Sequence, residues 1–241
     1  MSDAALKSSP SDAGGRPQLA MDHLYMIVDE PGAPAEMAAL AKGGLTQSWS
    51  RQHVGMGTAN IFLCFDNAFL ELIWIENEAE AATSPVGRRL IERKRKRDQG
   101  AMPFGLALRT PGPEVPLPFE GWQFKPPSVS DMKNVVTIAN SSDDLTQPFL
   151  FRGQRSIPPK DWTDGLAGER QRPGGFGDIV RWTLDLPAGV APGADLRTLQ
   201  ALGLLTLGTA GGRKARWTIE AARIDGGKPR RFVLPDCTFE D

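Results

Sequence analysis

Two apolar β segments of this chain each carry a metal-capable side chain, and that pairing constrains its fold more than any other feature. His23 lies within Met21 to Val28, and Glu71 within Ala68 to Ile75. Side chains alternate between the faces of a strand, so His23 shares its face with Tyr25 and Ile27. A polar group among hydrocarbon needs a hydrogen-bonding partner or a chemical task, and an unpartnered carboxylate has its pKa raised. Taken alone, His23 reads first as a hydrogen-bonded core residue, and Arg51 or Arg109 would suffice as a structural partner for Glu71.

The segments around these strands run β-α-β-β-β. Pro31 to Pro34 make a turn, Ala35 to Lys42 predicts a short helix stopped by Gly43-Gly44, and Leu45 to Arg51 predicts a second strand. His53 to Asn60 reads as a glycine-rich turn into a third strand, Asn60 to Phe65. Asp66-Asn67 then turns the chain into the fourth strand, Ala68 to Ile75.

With 241 residues, 40% hydrophobic and 24% charged, the chain can bury a sizeable core without staples. Lys and Arg total 28 against 29 Asp and Glu, a balance that argues against nucleic acid as partner and favours a small-molecule ligand. Cys64 and Cys237 lack metal-ligand spacing and read as reduced thiols of a cytoplasmic protein. No run reaches the roughly 20 apolar residues that cross a bilayer, so no membrane partner is expected. Residues 1–18, rich in Ser, Ala, Gly and Asp, predict a disordered tail.

The string Gly55-Met56-Gly57-Thr58-Ala59-Asn60, followed by Leu70-Glu71-Leu72-Ile73 and preceded by the His23 strand, resembles the first module of glyoxalase-like proteins of the vicinal oxygen chelate superfamily. The resemblance implies an α+β fold in which tandem βαβββ modules curl into an incomplete barrel around a cavity. It also implies that the first and fourth strands supply ligands, here His23 and Glu71, to one divalent metal such as Zn, Fe, Mn or Ni, and that the protein forms a homodimer.

The second half departs from that pattern. The first module spans 19–80, a basic connecting helix 81–100, and a divergent second module with a long loop 101–178. Its first strand, Ala101 to Thr110, and its last, Gln147 to Arg152, offer Phe104 or Leu106 and Phe149 or Phe151 where ligands would stand, and no histidine follows His53. A facial triad could draw only on His23, His53 and Glu71. Pro111 to Pro118 replaces the expected helix with a proline-rich linker. Residues 179–241 predict an additional, degenerate β-α-β-β unit. Arg88 to Arg97 reads as a helix with its charged side in water, and Ser156 to Gly177 either as a lid anchored by Trp162 and Phe176 or as a plain connection.

These readings place His23 and Glu71 as catalytic or metal-binding groups and His53, Asn60, Phe104, Arg109, Phe151 and Arg152 around the substrate. The function expected is that of a glyoxalase-like enzyme, a lyase, isomerase or dioxygenase, acting on a small organic substrate. The alternative is a metal-free protein that binds or sequesters an apolar or aromatic ligand.

Overall fold

The computed structural model describes residues 19–127 and 135–240, so the predicted tail lies outside the described residues. The first module consists of β1 (Ala20–Ile27), α1 (Pro34–Lys42), β2 (Trp49–His53), β3 (Thr58–Cys64) and β4 (Phe69–Ile75). Pro34 opens α1, where its missing N–H costs nothing, and Gly43-Gly44 ends it, Gly44 at φ +88°. Strand β2 starts later than predicted. Thr46 is held instead by the buried Gln171, whose Oε1 accepts from its N–H and whose Nε2 donates to its carbonyl, both at 2.8 Å.

Helices α2 (Glu78–Ala81) and α3 (Pro85–Arg95) lead to a second module of β5 (Phe104–Arg109), β6 (Gly121–Phe124), β7 (Val136–Ala139) and β8 (Phe149–Arg152). The proline-rich stretch lies between β5 and β6, where the first module has α1. The eight strands form one sheet in the order β2-β3-β4-β1-β5-β8-β7-β6. β1 pairs parallel with β4, β5 pairs parallel with β8, and the modules join through antiparallel β1 and β5. The outer strands β2 and β6 do not pair, yet a Cβ placed on Gly55, in the turn after β2, would come 2.8 Å from Pro127, just beyond β6. The sheet is an incomplete barrel, curled until its two free edges approach without pairing.

The rest of the chain builds β9 (Phe176–Leu186), α4 (Ala194–Ala201), β10 (Thr206–Thr209), β11 (Arg216–Arg223), β12 (Arg230–Leu234) and β13 (Thr238–Glu240). Here the first strand pairs parallel with β10 directly after the helix and antiparallel with β11, so the unit shares the first module's element pattern but not its pairing. Its own five-stranded sheet, β10-β9-β11-β12-β13, covers the barrel's convex face rather than extending the wall. There Leu24, Met26, Leu70, Leu72, Phe104 and Leu106 share one core with Trp182, Leu184, Trp217, Ile219 and Phe232. Each such side chain contributes about 1.5–3 kcal/mol on burial. The concave face carries a second cluster, including Tyr25, Ile27, Ile73 and Phe149, against Val86 and Leu90 of α3.

Helix α3 corrects one expectation. Most of its basic residues do reach the surface, but Arg93 is fully buried. Its guanidinium donates to the carbonyls of Gln147 at 2.7 Å, Ser142 at 2.8 Å and Met102 at 3.1 Å. The charge is held by a cradle of backbone dipoles, which ties the helix to the turn before β8 and to the start of β5. Among the described residues, no helix is long and apolar enough to cross a membrane.

Candidate active site

Strand alternation alone would send Asp22 and His23 to opposite faces of β1. A register shift against β5 between Met21 and His23 marks a bulge there, and both side chains line the cavity. Asp22 accepts from Arg109 at 2.9 Å and lies 2.8 Å from His23 Nδ1. A carboxylate paired with a guanidinium can only accept, so Nδ1 carries the proton and the ring orientation is fixed. His23 Nε2 then faces Glu71 Oε2 at 3.4 Å. Glu71 stands beside it on β4, which pairs with β1 along its length.

Beyond Glu71 the polar chain continues. Asn60 Nδ2 donates to Glu71 Oε1 at 2.5 Å and lies 3.1 Å from His53 Nε2. Because the amide nitrogen only donates, His53 Nε2 is the acceptor, and its Nδ1–H donates to Thr58 Oγ1 at 2.8 Å. His53 is therefore neutral, and burial pulls its pKa down to about 4. The result is a row of polar groups across the floor, Arg109, Asp22, His23, Glu71, Asn60 and His53, in which Asp22 accepts from both its neighbours and Asn60 donates to both of its own.

Above this floor lies a cavity of about 660 Å³. His23 stacks on Phe69 with ring centroids 4.2 Å apart and meets the edge of Phe151 at 5.3 Å. Trp49, Phe62, Ile73, Phe124, Ile138 and Phe149 also line the walls. The loop after β8 supplies Arg155 and Trp162. That loop is bound down: Arg170 and Arg172 pair with Asp66, Ser48 Oγ donates to the Glu169 carbonyl, and the Gln171 N–H donates to the Cys64 carbonyl. It forms a fixed wall. Phe176, expected as its second anchor, is instead buried against Phe232 in the convex core.

The sequence-predicted residues divide into three groups. His23, Glu71, His53 and Phe151 line the cavity. Asn60 and Arg109 stand behind it and act through Glu71 and Asp22. Phe104 and Arg152 do not belong to it. The ladder sets Gly105 opposite Tyr25 and Ala107 opposite His23, so Phe104 and Leu106 share the convex face with Leu24 and Met26. On β8 the concave positions are Phe149 and Phe151, while Arg152 donates at 3.3 Å to the Pro113 carbonyl. Trp49, Phe62 and Phe69 were overlooked as cavity residues. Their signal was alternation: each shares strand parity with Arg51 and His53, with Asn60, or with Glu71.

The donor set does not fit a three-ligand metal centre. Opposite His23 and Glu71 the second module presents Gly105, Ala107, Phe149 and Phe151, and both nitrogens of His53 are already engaged. Among the described residues no group of three or more His, Cys, Asp or Glu side chains is gathered closely enough to hold a metal. Cys64 and Cys237 are free, buried thiols, each pushed by burial up to about 12.

The family model of the glyoxalase-like domain matches residues 21–115, the stretch that carries these polar groups. This stretch, less than half of the chain, is similar to a glyoxalase-like domain. No curated protein matches the chain. Among solved structures, the chain is similar to a hypothetical protein from Staphylococcus aureus at 14% identity, covering 70% of each chain with a TM-score of 0.40. It is also similar to a mutant 4-hydroxymandelate synthase from Streptomyces coelicolor, at 13% identity over 94% of this chain and 65% of that one, TM-score 0.45. A methylmalonyl-CoA epimerase in complex with methylmalonyl-CoA and NH4+ shares 14% identity over 59% of this chain and 100% of its own, TM-score 0.31.

Proposed function

We propose that this glyoxalase-like protein is an enzyme that moves a proton on a small organic substrate, with Glu71 and His23 as its base and acid. The supporting observation is their 3.4 Å approach on the floor of an aromatic cavity, each held from behind by a polar partner. Glu71 takes a proton from the substrate. His23, its ring fixed by Asp22 and its Nε2 unprotonated at the outset, takes that proton over from Glu71 and gives one back, so each proton removed is matched by one returned. Asn60 donates to Glu71 Oε1 and so holds the carboxylate in place beside His23. Positioned acid–base groups of this kind contribute roughly 10²–10⁴-fold in rate.

The test is solvent exchange. A panel of small carbonyl compounds bearing an aromatic ring is incubated with the protein in D2O, and proton NMR follows the C–H beside the carbonyl. The expected result is exchange that falls by roughly 10²–10⁴-fold in Glu71→Gln, a change that keeps the shape of the side chain. Tight binding across the panel with no exchange would sink this reading and support a sequestering protein, which the aromatic lining also suits.

A further inference from the structure

The rim of the cavity holds two guanidinium groups resting on one row of aromatic rings. Trp49 stacks on Phe62 at 5.5 Å, Phe62 meets the edge of Phe69 at 5.0 Å, and Phe69 meets that of Trp162 at 5.7 Å. Arg51, an exposed residue of β2, has its Cζ 5.8 Å from the Trp49 ring and 5.9 Å from Phe62. Arg155 lies 4.0 Å over Trp162 at the other end of the row. Both arginines line the cavity.

Their charges are balanced differently. Arg155 is paired with Asp164 at 2.6 Å. Arg51 has no carboxylate within ion-pair range among the described residues, and its attraction to Glu71 acts over a longer distance. Glu71 is itself engaged by Asn60 and His23, and Asp22 by Arg109. A guanidinium steadied by two ring faces rather than by an acid keeps its N–H fork for an incoming oxyanion. A charged rim beside a continuous aromatic wall is complementary to a flat apolar body with one anionic end.

We propose that the cavity takes an aromatic carboxylate, its ring against the row from Trp49 to Trp162 and its anionic group on Arg51. The proposal rests on the reading of this cavity as the small-molecule site and names the ligand class. It is tested by calorimetric titration of the full chain with 2-naphthoate, its methyl ester and acetate. The acid should bind at least about tenfold more tightly than the ester, as a charge-assisted hydrogen bond predicts, and acetate only weakly. Arg51→Gln should erase the preference for the acid, Arg51→Lys should keep part of it, and added salt should weaken the acid alone. Equal affinities for acid and ester in the unmodified protein, or no binding of either, would overturn the proposal. So would an Arg51→Gln variant that loses both ligands by the same factor, because Arg51 would then only support the wall. Binding is read without turnover, so failure of the proton-exchange test leaves this result intact, and failure here leaves exchange to be judged separately.

Discussion

The two modules of the barrel share a strand order, yet the polar strand residues that line the space between them all come from the first. The first contributes Asp22, His23, Arg51, His53 and Glu71 to the cavity. The second contributes Phe124, Val136, Ile138, Phe149 and Phe151. Both have their first and last strands paired in parallel at the centre of the sheet. The backbone therefore offers equivalent positions to both halves, and side-chain parity decides which half becomes polar. This one-sidedness concentrates the polar groups of the strands in one half of the cavity, and four experiments probe it beyond the loss of exchange in Glu71→Gln.

The largest further effect is expected at Arg93, which fastens the second module to its helix. Arg93→Met strips three buried carbonyls of their donor, and denaturant unfolding should show a loss of about 3–5 kcal/mol. A loss near zero would mean that the second module keeps its place without this clamp.

Next comes Gly105, the bare position on the concave face of β5. A Cβ there would lie 2.0 Å from the Tyr25 ring, so Gly105→Val must displace that ring and should cost about 1–3 kcal/mol in the same assay. The Tyr25 ring of the first module occupies the space that Gly105 leaves open.

The comparison can also be partly reversed. Phe151 meets the His23 ring edge-on, so Phe151→His brings a second imidazole toward His23 and Glu71. Affinity for Zn²⁺ or Ni²⁺, measured by calorimetry, should rise at least about tenfold over the unmodified protein. No gain would show that the second module's wall stands too far away to share a ligand set.

The most gradual effect is a pH slope. His53 protonates near 6.5 when unfolded but only near 4 in the fold, so between those values the unfolded chain binds the extra proton. Stability should fall as pH drops through that window, by up to about 1 kcal/mol per unit, and His53→Gln should flatten that part of the profile. Thermal melts at stepped pH would show it.

The first module was legible because its strands are long, apolar and punctuated by glycine, and because His23 and Glu71 are conspicuous in such surroundings. Strands β6, β7, β10 and β13 are each no more than four residues long. Runs that short show too little alternation to separate a strand from a loop. Phe104 was assigned to the cavity because an aromatic on a module's first strand could face either way. Only the pairing of β5 with β1, Tyr25 opposite Gly105, sends it to the convex face. Arg93 was read as solvated because nothing in a basic run marks which residue will meet a turn some fifty positions away.

By itself the sequence determined the βαβββ order of the first half, the two groups of its polar core and the loss of ligand-type residues from the second. These are properties of local pattern and residue type, which a strand's period of two makes readable. The tertiary structure decided the bulge that turns Asp22 toward His23, the amide bridge from Asn60 to His53, and the fixed wall that brings Trp162 to the cavity. Those depend on register and on contacts between distant segments, and a one-residue shift in register reverses every side chain it carries.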